Sequence, residues 1–541
     1  MTATDPITLG EGRTTASQIA DIADGAPVQL SDSARTRIAS SRDAVLKAIA
    51  DGVRAYGVNT GLGPARDQPI PPQLQTQFQL YTLKTHAAGV GDALTAAEVR
   101  AIVAARLAVI AQGSSGASDG LVDGLLALLN QNITPLVPSV GSVGSADMPA
   151  LAAIGLTLIG EGQALGVHGE PIPAIEALKA GGVRPVVFEA KDALALVGAN
   201  SGSIGLGCLA WRELGAVAAA ADLAGAHTVT IVNANQSAFR EDVLGARPHA
   251  GQIRSGARLR HLLTDDPKEG PIIRHLGPSA CAQVAGHSIS ACQTDAATSH
   301  SMTKREDQHL PKSVPGEGAS LQDRLSIRTL PQVNGALLDE LDSFANILSI
   351  ELNSAAENPW IDPDSGDFVS NGNFSSGRLA IRADSLRVAL ALVGQLSERR
   401  TAAIVASIRS ARPIAEQVGD PSTFGAPPVI IAQSAAELAV QLQHLANPVS
   451  VFPTVVGDGV EDHNCGAYLA IKLLRESGTT LLRLLAVEVL AGTFLSAQTD
   501  TTFGPQLAEF ASRAKEATAT GTVAEAVSAI EEALRSWAEE N

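Results

Sequence analysis

Along this chain, apolar residues recur at helical spacing over long stretches separated by short Gly- and Pro-rich breaks. The spacing predicts a helical hairpin over 31–55 and helices over 95–112, 119–131, 191–225, 334–355, 376–410, 430–446, 464–496 and 505–539. A further apolar stretch covers 150–160. Several of these runs exceed the usual length of about 10–14 residues, and their apolar positions fall on more than one side. Helices of that kind are buried in a bundle, often one shared between subunits. Strand-like alternation is scarce, and "TVTIV" at 228–232 is the best candidate. The expected fold class is therefore all-α.

Composition agrees. Hydrophobic residues make up 45% of the 541 positions but aromatics only 3%, so the apolar mass is Ala, Leu, Val and Ile. Ala and Leu lose little side-chain freedom in helices. A formal charge of −17 sets the surface against phosphate backbones, which excludes general nucleic-acid binding. Cys208, Cys281, Cys292 and Cys465 are too scattered for a disulfide framework or a zinc site, and read as reduced thiols of a cytoplasmic protein. The first thirty residues lack a signal-peptide pattern, and no uninterrupted apolar stretch is expected to cross a membrane.

Two segments stand apart. The loop at 57–72, "GVNTGLGPARDQPIPP", has the glycine and proline density of a lid or of an ordinary connection. Residues 273–319 carry His275, His287, His300 and His309, none at the i, i+4 spacing that places two imidazoles on one helix face. A surface excursion or substrate lid is expected there, and no metal.

Nine collinear motifs then carry a resemblance. They are "AYGVNTGLG" (55–63), "THAAGVG" (85–91), "GSVG" (141–144), "LIGEGQAL" (158–165), "SIRTLPQVNGA" (326–336), "ENPW" (357–360), "SNGNF" (370–374), "LSERR" (396–400) and "EDH" (461–463). In this order the chain, over roughly 30–500, resembles the histidine/phenylalanine ammonia-lyases, bacterial histidine ammonia-lyase in particular. The resemblance implies a long central helix bundle of the aromatic amino acid lyase and fumarase-like type with a loop-rich N-terminal part. It also implies a homotetramer with four sites, each built from three subunits. On this basis 1–200 is the N-terminal part with a lid loop and the remnant of a cofactor loop. Residues 201–500 form the bundle, with its excursion at 273–319, and 501–541 a helical tail.

In that family an Ala-Ser-Gly triplet cyclises to a methylidene-imidazolone, the electrophile that activates the substrate amine. By motif, Tyr56 matches the base that removes the β-proton. Arg328 and Asn358 match the carboxylate-binding pair, and a guanidinium fork suits bidentate recognition. His86 and Glu461 match the residues around an imidazole ring, with Glu461 in the catalytic set. Gln322 and Phe374 match pocket-lining positions. The plainer alternatives are a Tyr56 that merely packs and an Arg328 in a structural ion pair.

The departures are concentrated. Where the family has Gly-Ser-Val-Gly-Ala-Ser-Gly-Asp, this chain has Gly141-Ser142-Val143-Gly144-Ser145-Ala146-Asp147, one residue short and without the triplet. Ring closure needs a tight approach that glycine permits and a Cβ hinders, so the cofactor is expected to be absent. The family's Asn-Gly-Thr is Val197-Gly198-Ala199, its second tyrosine is Leu325, and its glutamine before "EDH" is Val460.

A quaternary nitrogen needs no electrophile, because a trimethylammonium group leaves as neutral trimethylamine. Small apolar residues at Val197, Leu325 and Val460 would make room for three methyl groups. The expected activity is thus cofactor-free elimination of a tertiary amine from a histidine-derived betaine, the logic of the cofactor-less relative ergothionase. The alternatives are a non-lyase cyclisation or isomerisation of an amino-acid-derived substrate, and a catalytically silent homologue.

Overall fold

Helix starts are written into the sequence as reciprocal caps. At Thr95 the hydroxyl accepts from the Glu98 amide at 3.3 Å, while the Glu98 carboxylate accepts from the Thr95 amide at 2.8 Å. The same box opens Ala16–Ala23 with Thr15 and Gln18, and Val523–Glu540 with Thr522 and Glu525. The helix Ala96–Ile110 is buried on every side from Val99 onward, as its all-round apolar pattern requires.

The computed structural model describes residues 5–264, 321–411, 430–452, 454–499, 501–519 and 521–541. The histidine-bearing segment 273–319, with Cys281 and Cys292, lies outside the described residues. The fold is all-α; among the described residues the strands are two to four residues long and occur as four separate pairs.

Two compact units emerge, each drawn from three separate stretches, whereas the division expected from sequence was contiguous. The first comprises 1–213, 343–385 and 447–475. Its helix Ala16–Ala23 packs on Ala96–Ile110, and Gln75–His86, Met148–Leu158 and Asp192–Val197 pack on one another. Val90–Ala93 pairs antiparallel with Pro138–Val140, and Trp360–Ile361 with Phe368–Val369.

The second unit comprises 214–342, 386–446 and 476–541. Two of its buried carboxylates are well partnered. Asp222 accepts from Ser255 at 2.6 Å and from Arg258 and Asn334 at 2.8 Å each, and Arg400 pairs with Glu488 at 2.6 Å. Gly251 and Gly335 let the helices Ala250–Leu262 and Leu330–Leu352 touch backbone to backbone.

Four expectations change. No hairpin fills 31–55: Val28–Leu30 pairs in parallel with Ile7–Leu9, and one helix, Asp32–Ala50, follows. "TVTIV" is helical, since it ends the buried helix Ser201–Ile231 and burial outweighs its β-branched preference. The runs 191–225 and 505–539 are each two helices, broken at Gly198–Asn200 and at Gly521, whose φ is +100°. Two segments, Asp192–Ile231 and Ala467–Thr499, are long and apolar enough to cross a membrane by length and composition. However, 89% and 78% of their most apolar windows are buried inside the protein, which marks them as core helices.

Candidate active site

In the first unit the loop 141–147 is tied to segments distant in sequence. It turns through Gly141 and Gly144, with φ of +151° and +89°, and then through Ala146 at +74°, a left-handed conformation unusual for a residue with a Cβ. The Ala146 amide donates to Asn200 Oδ1 at 2.8 Å, and Asn200 Nδ2 donates to the Phe374 carbonyl. Ser145 bridges to Ser375, and its hydroxyl donates to the His463 carbonyl at 3.3 Å. The Gly466 amide donates to Val143 at 2.9 Å, and Cys465 Sγ to the Gly144 carbonyl at 3.2 Å.

Beneath this loop Asp147 is completely buried. It accepts from Ser142 Oγ at 2.5 Å, from the Ser203 amide at 2.6 Å and from Ser203 Oγ at 3.1 Å. Burial nevertheless raises its pKa above the ordinary carboxylate value. The Cys465 thiol is also pushed up, mainly by burial, against backbone hydrogen bonds from Ala467 and Ser376.

Tyr56 lies half-buried on the loop that follows Asp32–Ala50, and its hydroxyl accepts the Gly63 amide at 3.1 Å. The turn Gly63–Ala65 packs against the turn Gly457–Gly459, which leads into Glu461 through the Val456–Glu461 bridge. The sequence-distant Tyr56 and Glu461 loops thus abut. Val460 between them is 43% exposed.

His86 ends the helix Gln75–His86, and its Nδ1 donates to the Thr82 carbonyl at 2.7 Å. In the neutral ring that leaves Nε2 as an acceptor. Just beyond it, a Cβ built on Gly141 would stand 3.4 Å from the Gly89 backbone, so this segment also meets the 141–147 loop. Asn358 is half-buried and accepts the Asn371 amide at 3.2 Å, three residues before Phe374.

Val197 corrects the sequence reading. It is 0% exposed, at the end of Asp192–Val197, and offers a ligand no surface. Next to this segment, Asn200 supplies an amide to the loop. Sequence reading missed Asn200, Asp147 and Cys465. The one available signal was a polar residue directly ahead of a long apolar helix.

The second unit holds Gln322, Leu325 and Arg328. Arg328 Nε donates to the Asp323 carbonyl at 2.9 Å. With the Gln322 amide oxygen turned toward the guanidinium, it accepts from both terminal nitrogens at 2.7 and 3.2 Å. Arg328 forms no ion pair among the described residues. Its positive charge is held by neutral acceptors, in contrast to the structural ion pair considered above. Leu325 is 64% exposed and lines a cleft of about 370 Å³ with Ser326, Thr329, Glu398, Arg399 and Gln443. Among the described residues no group of three or more His, Cys, Asp or Glu side chains is placed to hold a metal ion.

Comparison with known proteins bears directly on this arrangement. The aromatic amino acid lyase family model matches residues 14–516. A histidine ammonia-lyase from Anaeromyxobacter sp. (strain K) is 33% identical over 504 residues, covering 89% of this chain and 88% of that protein. Tyrosine aminomutase from Streptomyces globisporus superposes with a TM-score of 0.80 at 26% identity, covering 99% of this chain and 97% of its own. The ergothioneine-degrading ergothionase from Treponema denticola superposes with a TM-score of 0.81, covering 98% and 99% of the two chains. At 22% identity that last likeness shows the fold alone.

Proposed function

The chain belongs to the aromatic amino acid lyase family and is a carbon–nitrogen lyase, and on that premise we propose that it eliminates a tertiary amine from a histidine-derived betaine without a methylidene-imidazolone. The observation that carries the reading is the loop at 144–146. A leading alanine at position 144 would put its Cβ 2.6 Å from the Ala467 amide nitrogen, and position 146 bears a Cβ of its own at a φ of +74°. The Ala146 N–H is already committed to Asn200, and the Gly144 carbonyl to Cys465. These residues do not fit the ring closure that the family's cofactor requires.

In the proposed reaction Tyr56 acts as the phenolate, its oxygen also accepting the Gly63 amide hydrogen, and takes the β-proton. The electron pair of that C–H bond becomes the Cα–Cβ double bond. The C–N bond breaks with its pair moving to nitrogen, and trimethylamine leaves uncharged, giving an acrylate. Arg328, with its charge unpaired by any described carboxylate, and Asn358 hold the substrate carboxylate. His86 and Glu461 flank the imidazole ring, whose single N–H one of them accepts.

The reading includes a homotetramer whose sites draw on more than one subunit. Ile381, Val388 and Leu392 support it, being 62%, 47% and 43% exposed at spacings that share one face of the helix Gly377–Ala411.

Incubation with ergothioneine, hercynine and histidine, following acrylate absorbance and the amine released, tests the proposal. Trimethylamine from a betaine with no ammonia from histidine supports it. Ammonia from histidine, or an intact mass short by two waters, overturns the cofactor-free reading. No turnover of any of the three rejects the betaine substrate.

A further inference from the structure

The turn that carries Asn358 is braced by a residue that the motif comparison leaves without a role. Asn371 uses its backbone amide and both ends of its side chain. Its backbone amide donates to Asn358 Oδ1 at 3.2 Å. Its side-chain Nδ2 donates to the Glu357 carbonyl at 2.8 Å and to the Val369 carbonyl at 3.0 Å, while its Oδ1 accepts the Asn373 amide at 2.9 Å. The Asn371 side chain therefore ties the segment before Asn358 to the hairpin strand Phe368–Val369 and to the approach to Phe374.

This arrangement sets the direction of a second amide. A side-chain amide offers an acceptor on one side and two donors on the other. Because Asn358 Oδ1 faces the Asn371 N–H, the Asn358 NH2 group is turned away from the turn. The Asn358 side chain makes no other hydrogen bond among the described residues. Turned the other way, its NH2 would oppose the Asn371 N–H, donor against donor. We propose that Asn371 is a positioning residue that fixes Asn358 with its NH2 outward, so that the substrate carboxylate meets a donor rather than an acceptor. The inference rests on the reading of Asn358 as a carboxylate ligand.

The test uses the full chain, with hercynine and its carboxamide as titration probes. Asn358→Ala and Asn371→Ala are each expected to weaken hercynine binding about tenfold, as loss of a hydrogen bond to a charged group does. The double variant is expected to be no weaker than the weaker single one, because Asn371 acts through Asn358. Carboxamide binding is expected to fall less, because its oxygen is a neutral acceptor. Additive losses, or equal losses for both probes, overturn the positioning role while leaving Asn358 as a carboxylate ligand. An Asn358→Ala variant that binds hercynine normally overturns that underlying reading instead. A crystal structure of Asn371→Ala gives a ligand-free check: an unmoved Asn358 amide overturns the proposal, and a turned or disordered one supports it.

Discussion

Arg106 and Glu357 meet as an ion pair at 3.0 Å, with side chains 0% and 2% exposed, one residue before Asn358. Arg106 also donates through Nε to the Ala195 carbonyl at 3.0 Å, so a single guanidinium joins the helix Asp192–Val197 to the Asn358 turn. Removing one member of a buried pair strands the other without its counter-charge. Arg106→Met is expected to cost about 3–5 kcal/mol of stability in urea denaturation. A loss below about 1 kcal/mol would mean the pair does not hold the turn.

Asn200 is buried, and its amide bridges Ala146 and Phe374. Asn200→Ala leaves an N–H and a carbonyl without partners, and is expected to cost about 1–3 kcal/mol. Ala146 then loses its link to the Phe374 carbonyl, so amide hydrogen exchange should accelerate locally at 144–147 and 374–376. Uniform acceleration along the chain would argue against a local clamp.

Lys191 is buried and donates to the Ser115 carbonyl at 2.5 Å. Burial, only partly offset by the nearby Glu357, pulls its pKa down to about 8. Below pH 8 the ammonium is charged in the folded and unfolded chains alike, and the folded chain bears the desolvation penalty. Between 8 and the ordinary lysine value of 10.5 the folded chain releases its proton first. The unfolded chain then binds more protons, and stability rises with pH. The stability of the parent relative to Lys191→Met should therefore grow from pH 8 to pH 10 in guanidinium titrations. A flat difference would place the lysine in contact with water.

Tyr56→Phe removes only the oxygen that accepts the Gly63 amide. If that oxygen takes the β-proton, kcat falls by roughly 10²–10⁴-fold with little change in KM. Arg328→Ala should instead act mainly on KM, because its role is binding the carboxylate. Steady-state kinetics on the betaine that turns over separates the two. A Tyr56→Phe enzyme with unchanged kcat would remove Tyr56 from the chemistry.

Much of the helical framework was legible because its signals are local. The Thr95–Glu98 and Thr522–Glu525 caps lie three residues apart, and apolar spacing marks Ala96–Ile110 and Ala467–Thr499 within their own windows. "TVTIV" was misread because its burial comes from distant packing, which outweighs the β-branched preference visible locally. Val197 was misplaced for a related reason: sequence shows that it is apolar, but not whether it faces a ligand or the core.

Residue types at the candidate site followed from motif order, so Tyr56, His86, Arg328, Asn358 and Glu461 could be named from the chain alone. Their orientations could not, because each is set by partners remote in sequence. Asn200 reaches back 54 residues to Ala146 and forward 174 to Phe374, and Cys465 reaches back 321 to Gly144. Helical periodicity and capping are properties of a few consecutive residues, so the sequence by itself determined the all-α framework and named candidate reactive groups. Only the tertiary structure decided that Ala146 is locked by Asn200 and that Asn358 turns its NH2 outward. Hydrogen-bond direction depends on which distant donors and acceptors folding brings within about 3 Å.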